Sequence, residues 1–339
     1  MLSLMKDERN GAVAAVVKGL LRVLSWAYGL GVGIVDLGYR SGIRRIHKVD
    51  VPVVSVGNLT LGGTGKTPFS VYLADHFLAG GRKPAILIRG YGDDEHRMLR
   101  DELPDVPVYT GRDRVKSAET AMKRNADVLI LDDGFQHRRI KRDLDILLVD
   151  SLKPFGNGFL FPRGVLREPA SSMARADIIV VTKADKIGPK EKKDLFDGLS
   201  SAAPGKPVAF ARHKVTFLSD VTGSSYSRDY LKGKRVCVVS GIADPDYFSE
   251  TVSGLGGIVD ESFDFGDHHS YTQKDIDLVA RVAKDEKFDI IVITTKDHVK
   301  IKDLDISEIE DKLIIIHVAV EFAEGEEKII AGLNRVNRA

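Results

Sequence analysis

The sequence predicts an α/β protein: a mostly parallel sheet covered by helices, with a second, smaller α/β domain after it. Three observations predict this. Short apolar runs such as Val128–Leu131, Leu144–Val149 and Ile178–Val181 alternate with helical patterns. These runs are continuously apolar rather than alternating, as strands buried on both faces must be. The first run, Val51–Val56, feeds a glycine-rich loop and a helix start.

That loop is Thr60, Leu61, Gly62, Gly63, Thr64, Gly65, Lys66 and Thr67, the candidate nucleotide-binding residues. Its glycines let backbone N–H groups turn onto phosphate oxygens. Lys66 brings a charge to the β and γ phosphates, and the Thr67 hydroxyl suits a Mg²⁺ ion. The helix opening at Thr67-Pro68 aims its positive end at the same anion, and proline is tolerated in a first turn. Thr60 stands where the usual G-x-x-x-x-G-K-[ST] pattern has its first glycine, and Gly57, Gly62 and Gly63 supply the flexibility instead. The expected core is P-loop NTPase-like.

Further along, Pro84–Ile88 reads as a strand ending in the turn Arg89-Gly-Tyr-Gly92, Val106–Tyr109 as a short strand, and Val115–Arg124 as a helix. After a less regular stretch, Ser219–Lys234, the pattern restarts with Arg235–Ser240, a helix near 246–254, Ile290–Thr294 and Leu313–Val318. The expected divisions are an N-terminal amphipathic helix and basic segment (1–48), a P-loop core (49–212), a linker (213–233), a smaller α/β domain (234–320), and a C-terminal helix (321–339) able to return to the core.

Composition narrows the classes. The 339 residues are 43% hydrophobic and 29% charged, which is globular rather than disordered. A net charge of +1 gives no general argument for nucleic acid. The single cysteine, Cys237, excludes an internal disulfide and a multi-cysteine metal site, and its apolar neighbours make it a small buried hydrophobe. No feature points to an obligate protein partner.

The chain from Ala12 to Leu37 is largely apolar, with Lys18, Arg22, Ser25, Gly29 and Gly33 drawing a narrow stripe down one helical face. Its uncharged stretch, Val23–Val35, is 13 residues, short of the roughly 20 a spanning helix needs. Arg40, Arg44, Arg45 and Lys48 follow directly. A broad apolar face beside a basic cluster predicts a helix lying in the interface of an anionic membrane. The competing expectation is a helix packed on the protein's own core.

Polar constellations collect where strands end. Val128–Leu131 runs into Asp132-Asp133, and an acid in that place holds Mg²⁺ in P-loop proteins. Asp132 is the candidate ligand; Asp133 either shares the role or orients a ligand. Gln136, His137, Arg138 and Arg139 follow. Arg114 is a further candidate for phosphate. Asp94-Glu95-His96 lies on the loop after the second strand, either solvated or supplying a base for an acceptor hydroxyl. Phe265–Tyr271 sets His268 and His269 beside Asp267, suggesting a single catalytic or positioning histidine. Phe159–Pro169 mixes apolar residues with Arg163, Arg167 and Glu168, as suits an amphiphile with anionic groups or a loop tucked under the core.

Thr182-Lys183-Ala184-Asp185 and Thr295-Lys296-Asp297 resemble the base-reading element of GTPases. A D-x-x-G switch starting at Asp132 would need glycine at 135, where this chain has Phe135. A GTPase is therefore disfavoured. A membrane-associated P-loop hydrolase acting as a switch is the alternative to an enzyme of synthesis, and the missing D-x-x-G argues against it.

Taken together, Ser55 to Pro68, Arg89-Gly-Tyr-Gly92, Leu131-Asp-Asp-Gly-Phe-Gln-His-Arg-Arg139, Arg142-Asp-Leu-Asp145 and Pro162 to Pro169 closely resemble the tetraacyldisaccharide 4'-kinase (lipid A 4'-kinase) family. Gly266-Asp-His-His269 and Thr294-Thr-Lys-Asp297 extend the resemblance through the second domain. It implies a monotopic enzyme on the cytoplasmic face of the bacterial inner membrane. The implied reaction moves the γ-phosphoryl of ATP, with Mg²⁺, to the 4'-hydroxyl of a tetraacyl disaccharide 1-phosphate lipid. It implies Asp94 as base with His268 as partner and Lys66 at the transferred phosphate. It also implies Thr67, Asp132 and Glu168 around the metal, and Asp133, Gln136, His137, Arg114 and Arg167 as contacts. Asp93 and His96 depart from the family's Gly-Asp-Glu-Pro segment. Asp94 and His268 fall in different expected domains, so closure on nucleotide would assemble the pair.

Overall fold

The continuously apolar runs become strands buried along their whole length. The computed structural model describes residues 11–90 and 94–337, which divide into two units. Among the described residues the first comprises 11–89, 105–212 and 320–337, and the second 90, 94–104 and 213–319. Tyr91, Gly92 and Asp93 of the expected turn region lie outside the described residues.

The first unit carries α1 (Ala12–Arg40), β1 (Val53–Asn58), α2 (Lys66–Ala79) and β2 (Pro84–Ile88). It continues with β3 (Val108–Thr110), α4 (Arg114–Lys123), β4 (Val128–Leu131), β5 (Leu144–Asp150), β6 (Ile178–Thr182), α5 (Pro189–Ala202) and the start of β7 (Val208–Asp220), and ends with α9 (Glu326–Asn337). Strand order is β7-β6-β5-β1-β4-β2-β3, and every pair in that series is parallel. All residues of β1, β2, β4, β5 and β6 are buried. One face packs Leu59, Phe135, Leu147, Leu166 and Val181; the other packs Val53, Leu87, Val115 and Leu131. Leu333 and Ile329 of α9 are fully buried.

The second unit holds α3 (Asp94–Glu102), β8 (Ser225–Tyr226), β9 (Arg235–Ser240), α6 (Pro245–Gly254) and β10 (Ile258–Asp264), then α7 (Gln273–Asp285), β11 (Ile290–Thr294), α8 (Thr295–Ile301) and β12 (Leu313–Glu324). The parallel order is β10-β9-β11-β12. Cys237, Ile291, Ile293 and Ile315 fill one side of it. Two sequence expectations change here. Asp94 opens a helix instead of sitting in a loop, because Asp94 and Glu95 in a first turn complement the helix dipole. Residues 213–233, expected as a linker, carry the second part of β7, β8 and a short 3-10 turn.

Helix α1 is packed the wrong way round for a soluble protein. Part of its polar stripe faces inward: Ser25 is buried, donates to the Leu160 carbonyl at 2.7 Å and accepts from the Arg163 N–H at 2.9 Å. Tyr28 donates its hydroxyl to the Arg167 carbonyl at 2.9 Å. A Cβ on Gly29 would stand 2.8 Å from Leu160, so glycine lets the helix come this close. The apolar face points out, with Trp26 66%, Leu30 68% and Ile34 60% exposed. The expectation of a helix packed on its own core fails for this face.

Candidate active site

Parallel sheets gather function at the carboxyl ends of their strands, and the first unit follows that rule. β1 delivers the phosphate loop and the adjacent β4 delivers Asp132 and Asp133; the two strands are in register with Ser55 opposite Leu131. Gly65 caps α2 with φ 80, a left-handed conformation that glycine adopts without steric cost. Lys66 and Thr67 thus occupy the first turn of the helix that follows the loop.

A second segment is stitched onto this loop. The Leu61 N–H donates to the Val165 carbonyl, and the Arg167 N–H to the Leu59 carbonyl, both at 2.7 Å. Thr60 and Leu166 form an antiparallel bridge. The Phe159–Pro169 segment therefore pairs with the phosphate loop itself. Arg167 then reaches the Asp133 carboxylate with both terminal nitrogens, at 2.9 and 2.8 Å, while Lys66 stands 3.8 Å from it. Burial alone would raise the Asp133 pKa. The hydrogen bonds from Arg167 and the charges of Lys66, Arg167 and Arg114 outweigh that and hold it well below the carboxylate range. Asp133 itself adopts a left-handed φ of 50, a conformation that persists where its surroundings fix it.

Each remaining expected residue has a definite place. Arg114 is buried and donates to the carbonyls of Asp132 at 2.7 Å and Asp133 at 3.1 Å, bracing the turn from behind. Gln136 donates to the Asn58 carbonyl at 2.9 Å. Burial, followed by the charges of Arg114, Arg142 and Arg139, pushes His137 down to about 4, so its ring is neutral near pH 7. Glu168 is buried and tied to Arg175 at 2.7 Å, which engages the carboxylate expected near a metal. Arg142 pairs with Asp145 at 2.6 Å, giving the Arg142-Asp-Leu-Asp145 motif a structural task.

Thr64 Oγ1, Gln136 Oε1 and His137 Nε2 are among the buried polar atoms on this surface that have no hydrogen-bond partner among the described residues. Buried polar groups left unsatisfied by their own chain point to a ligand. The loop amides, Lys66 and Arg167 suit a polyanion. For a divalent cation the available donors are hard oxygens, the Thr67 hydroxyl and the Asp132 carboxylate, which fit Mg²⁺ with waters and phosphate oxygens completing its shell. No group of three or more His, Cys, Asp or Glu side chains gathers around a cation position among the described residues.

The second unit holds a separate cluster. Asp94 is buried and bonded through Oδ2 to His268 Nδ1 at 3.1 Å. Lys300 and Lys296 stand 3.6 and 3.9 Å from the same oxygen. Although burial favours the neutral acid, the His268 bond and the two lysines hold Asp94 well below its usual range. The hydrogen bond that His268 donates to Asp94, opposed by burial, raises His268. Both residues belong to one unit, so their pairing does not require domains to close. His269 bonds instead to Asp275 at 3.1 Å.

Sequence reasoning missed several of these residues. Asn58 gathers Arg167 and Gln136, yet it reads as an ordinary strand end. Lys296 and Lys300 flank Asp94 from α8, and only their one-turn spacing on that helix hinted at a shared target.

The family model described as LpxK, tetraacyldisaccharide-1-P 4'-kinase, matches residues 17–97 and 93–337. The curated tetraacyldisaccharide 4'-kinase of Desulfatibacillum aliphaticivorans is 37% identical, covering 95% of this chain and 92% of its own. That of Halothermothrix orenii is 34% identical, covering 94% and 92%. A crystal structure of LpxK from Aquifex aeolicus in complex with ATP superposes with a TM-score of 0.74 at 29% identity, covering 94% of this chain and 99% of that one. With its phosphate loop, its paired acids and the segment stitched between them, this chain belongs to the tetraacyldisaccharide-1-phosphate 4'-kinase family.

Proposed function

We propose that the chain transfers the γ-phosphoryl of ATP to the 4'-hydroxyl of a tetraacyl glucosamine disaccharide 1-phosphate, working from the surface of an anionic membrane at the cytoplasmic face of the inner membrane. One observation carries most of this reading. The phosphate loop is paired with the segment that bears Arg167, so Lys66 and Arg167 converge on one carboxylate. Phosphoryl transfer asks chiefly for positioning and charge neutralisation. Both cations are set for that work, and Asp133 holds them in place before phosphate arrives.

In this reading Lys66 and the amides of residues 60–67 hold the β and γ phosphates, and Gln136 and His137 offer their unpartnered atoms to the substrates. Thr67 and Asp132 would hold Mg²⁺, which supplies neutralisation of phosphate charge when bound. Glu168, fixed by Arg175, orients this surface from the second row. Asp94 begins the reaction ionised and receives the hydroxyl proton. Its own proton affinity is low, so His268, whose affinity is raised, holds the proton with it and the pair titrates as a unit.

The outward apolar face of α1 supports interfacial membrane binding, with Arg40, Arg44, Arg45 and Lys48 beside it for anionic headgroups. The test of the catalytic assignment is a pair of substitutions. Asp94→Ala should lower kcat by about 10²–10⁴ with ATP binding intact, whereas Lys66→Ala should weaken ATP binding and turnover together. Near-normal turnover in Asp94→Ala would sink the assignment.

A further inference from the structure

The Thr182-Lys183-Ala184-Asp185 segment has no task in the account above, yet its place and its rigidity set it apart. It ends β6, whose neighbour β5 pairs with β1, the strand that feeds the phosphate loop. Two inter-strand steps put it about 10 Å to the side of β1. Register carries it further out: Asn58 pairs with Leu148 and Leu148 with Val180, so Thr182 lies two residues, about 7 Å, beyond the end of β1. That offset has the scale of a nucleoside rather than of a phosphate. Ala184 and Leu59, the residue just before the loop, belong to the same buried cluster, so segment and loop share one foundation.

Lys183 is the fixed point. It is a non-glycine residue with φ 54, and its side chain is buried with Nζ bonded to Asp150 Oδ2 at 2.6 Å. Ser151 donates its hydroxyl to the Lys183 carbonyl at 2.8 Å and its N–H to the Thr182 carbonyl at 3.1 Å. A left-handed lysine persists only where its surroundings over-determine it. The turn so fixed leaves Asp185 exposed at the carboxyl edge of the sheet.

We propose that Asp185 reads the purine base of the bound nucleotide, accepting a hydrogen bond from the exocyclic amine of adenine. Lys183, through Asp150 and Ser151, positions the turn that presents it. The proposal rests on ATP as the phosphoryl donor. It makes the lysine-acid segment a specificity element on a kinase that lacks the GTPase switch.

The test is calorimetric binding of ATP, ITP and purine riboside triphosphate to the full chain and to two variants, with thermal melting as a check on folding. Adenine's amine is missing from purine riboside and replaced by an acceptor oxygen in ITP. Asp185→Ala should weaken ATP at least about tenfold and leave purine riboside triphosphate unchanged, since a hydrogen bond to a charged group is lost only for ATP. Asp185→Asn, which gains a donor for the ITP oxygen, should shift the ITP-to-ATP affinity ratio toward ITP. A purely structural role would weaken all three nucleotides alike. Affinity ratios identical across the three proteins would overturn the proposal. Because binding is read without lipid, failure here is distinct from failure of the kinase reading, which would show as absence of phosphorylated lipid.

Discussion

At the residue scale, Asp94 and His268 determine what pH should do. His268 is raised above its ordinary 6.5, chiefly by its hydrogen bond to Asp94; burial and Lys296 oppose that, and Asp267 supports it. A histidine raised on folding favours the native state. Its contribution is complete below pH 6.5 and is lost as pH rises through the raised value. Asp94→Asn removes the main cause, so an NMR titration should find the His268 pKa lowered in that variant, and an unmoved pKa would contradict the pairing. His269 should stay where it is, since Asp275 holds it separately. The histidine pair was legible in the sequence because two histidines beside an acid stand out in a loop. That His268 is the one to meet Asp94 came from the family resemblance and not from spacing, since the two lie 174 residues apart and only the fold brings them near.

At the scale of elements, α1 separates two kinds of pattern. Its stripe of Arg22, Ser25 and Gly29 was visible as a three-four repeat, and two of its members do face inward against the Phe159–Pro169 segment. The repeat alone does not say which face the protein takes. Hydrogen bonding decides it: Ser25 finds partners on the segment, while Trp26, Leu30 and Ile34 stay exposed. Replacing Leu30 and Ile34 together by glutamate should leave the melting temperature nearly unchanged, because both are exposed. Binding to vesicles containing anionic phospholipid should fall by at least about tenfold, given roughly 1.5–3 kcal/mol per large apolar side chain inserted. Unchanged sedimentation with the vesicles would remove the membrane role of this face. Strands such as Pro84–Ile88 and Arg235–Ser240 were readable because both their faces are buried, which forces continuous apolar runs. Helix α3 was not. Its sequence, Asp-Glu-His-Arg-Met-Leu-Arg-Asp-Glu, is mostly charged, and only Met98 and Leu99 mark its buried side.

At the scale of the molecule, the phosphate loop and the Asp94 pair belong to different units, and each is built by its own neighbours. The first unit's site was largely legible because glycine spacing, Lys66-Thr67 and the double acid each have a direct chemical reading. The pairing of residues 59–61 with 165–167 was not legible, since a loop bound to a loop leaves no periodic trace. Nor was the membership of residues 94–104 in the second unit, because a short helix carries no address in its composition. Together these parts make a kinase acting on a lipid disaccharide. The most direct measurement incubates purified protein with ATP, Mg²⁺ and a tetraacyl disaccharide 1-phosphate, and follows the lipid by mass spectrometry. One added phosphate is expected, located at the 4' position and dependent on Asp94. ATP consumption at an equal rate with and without the lipid, and no phosphorylated lipid, would contradict it.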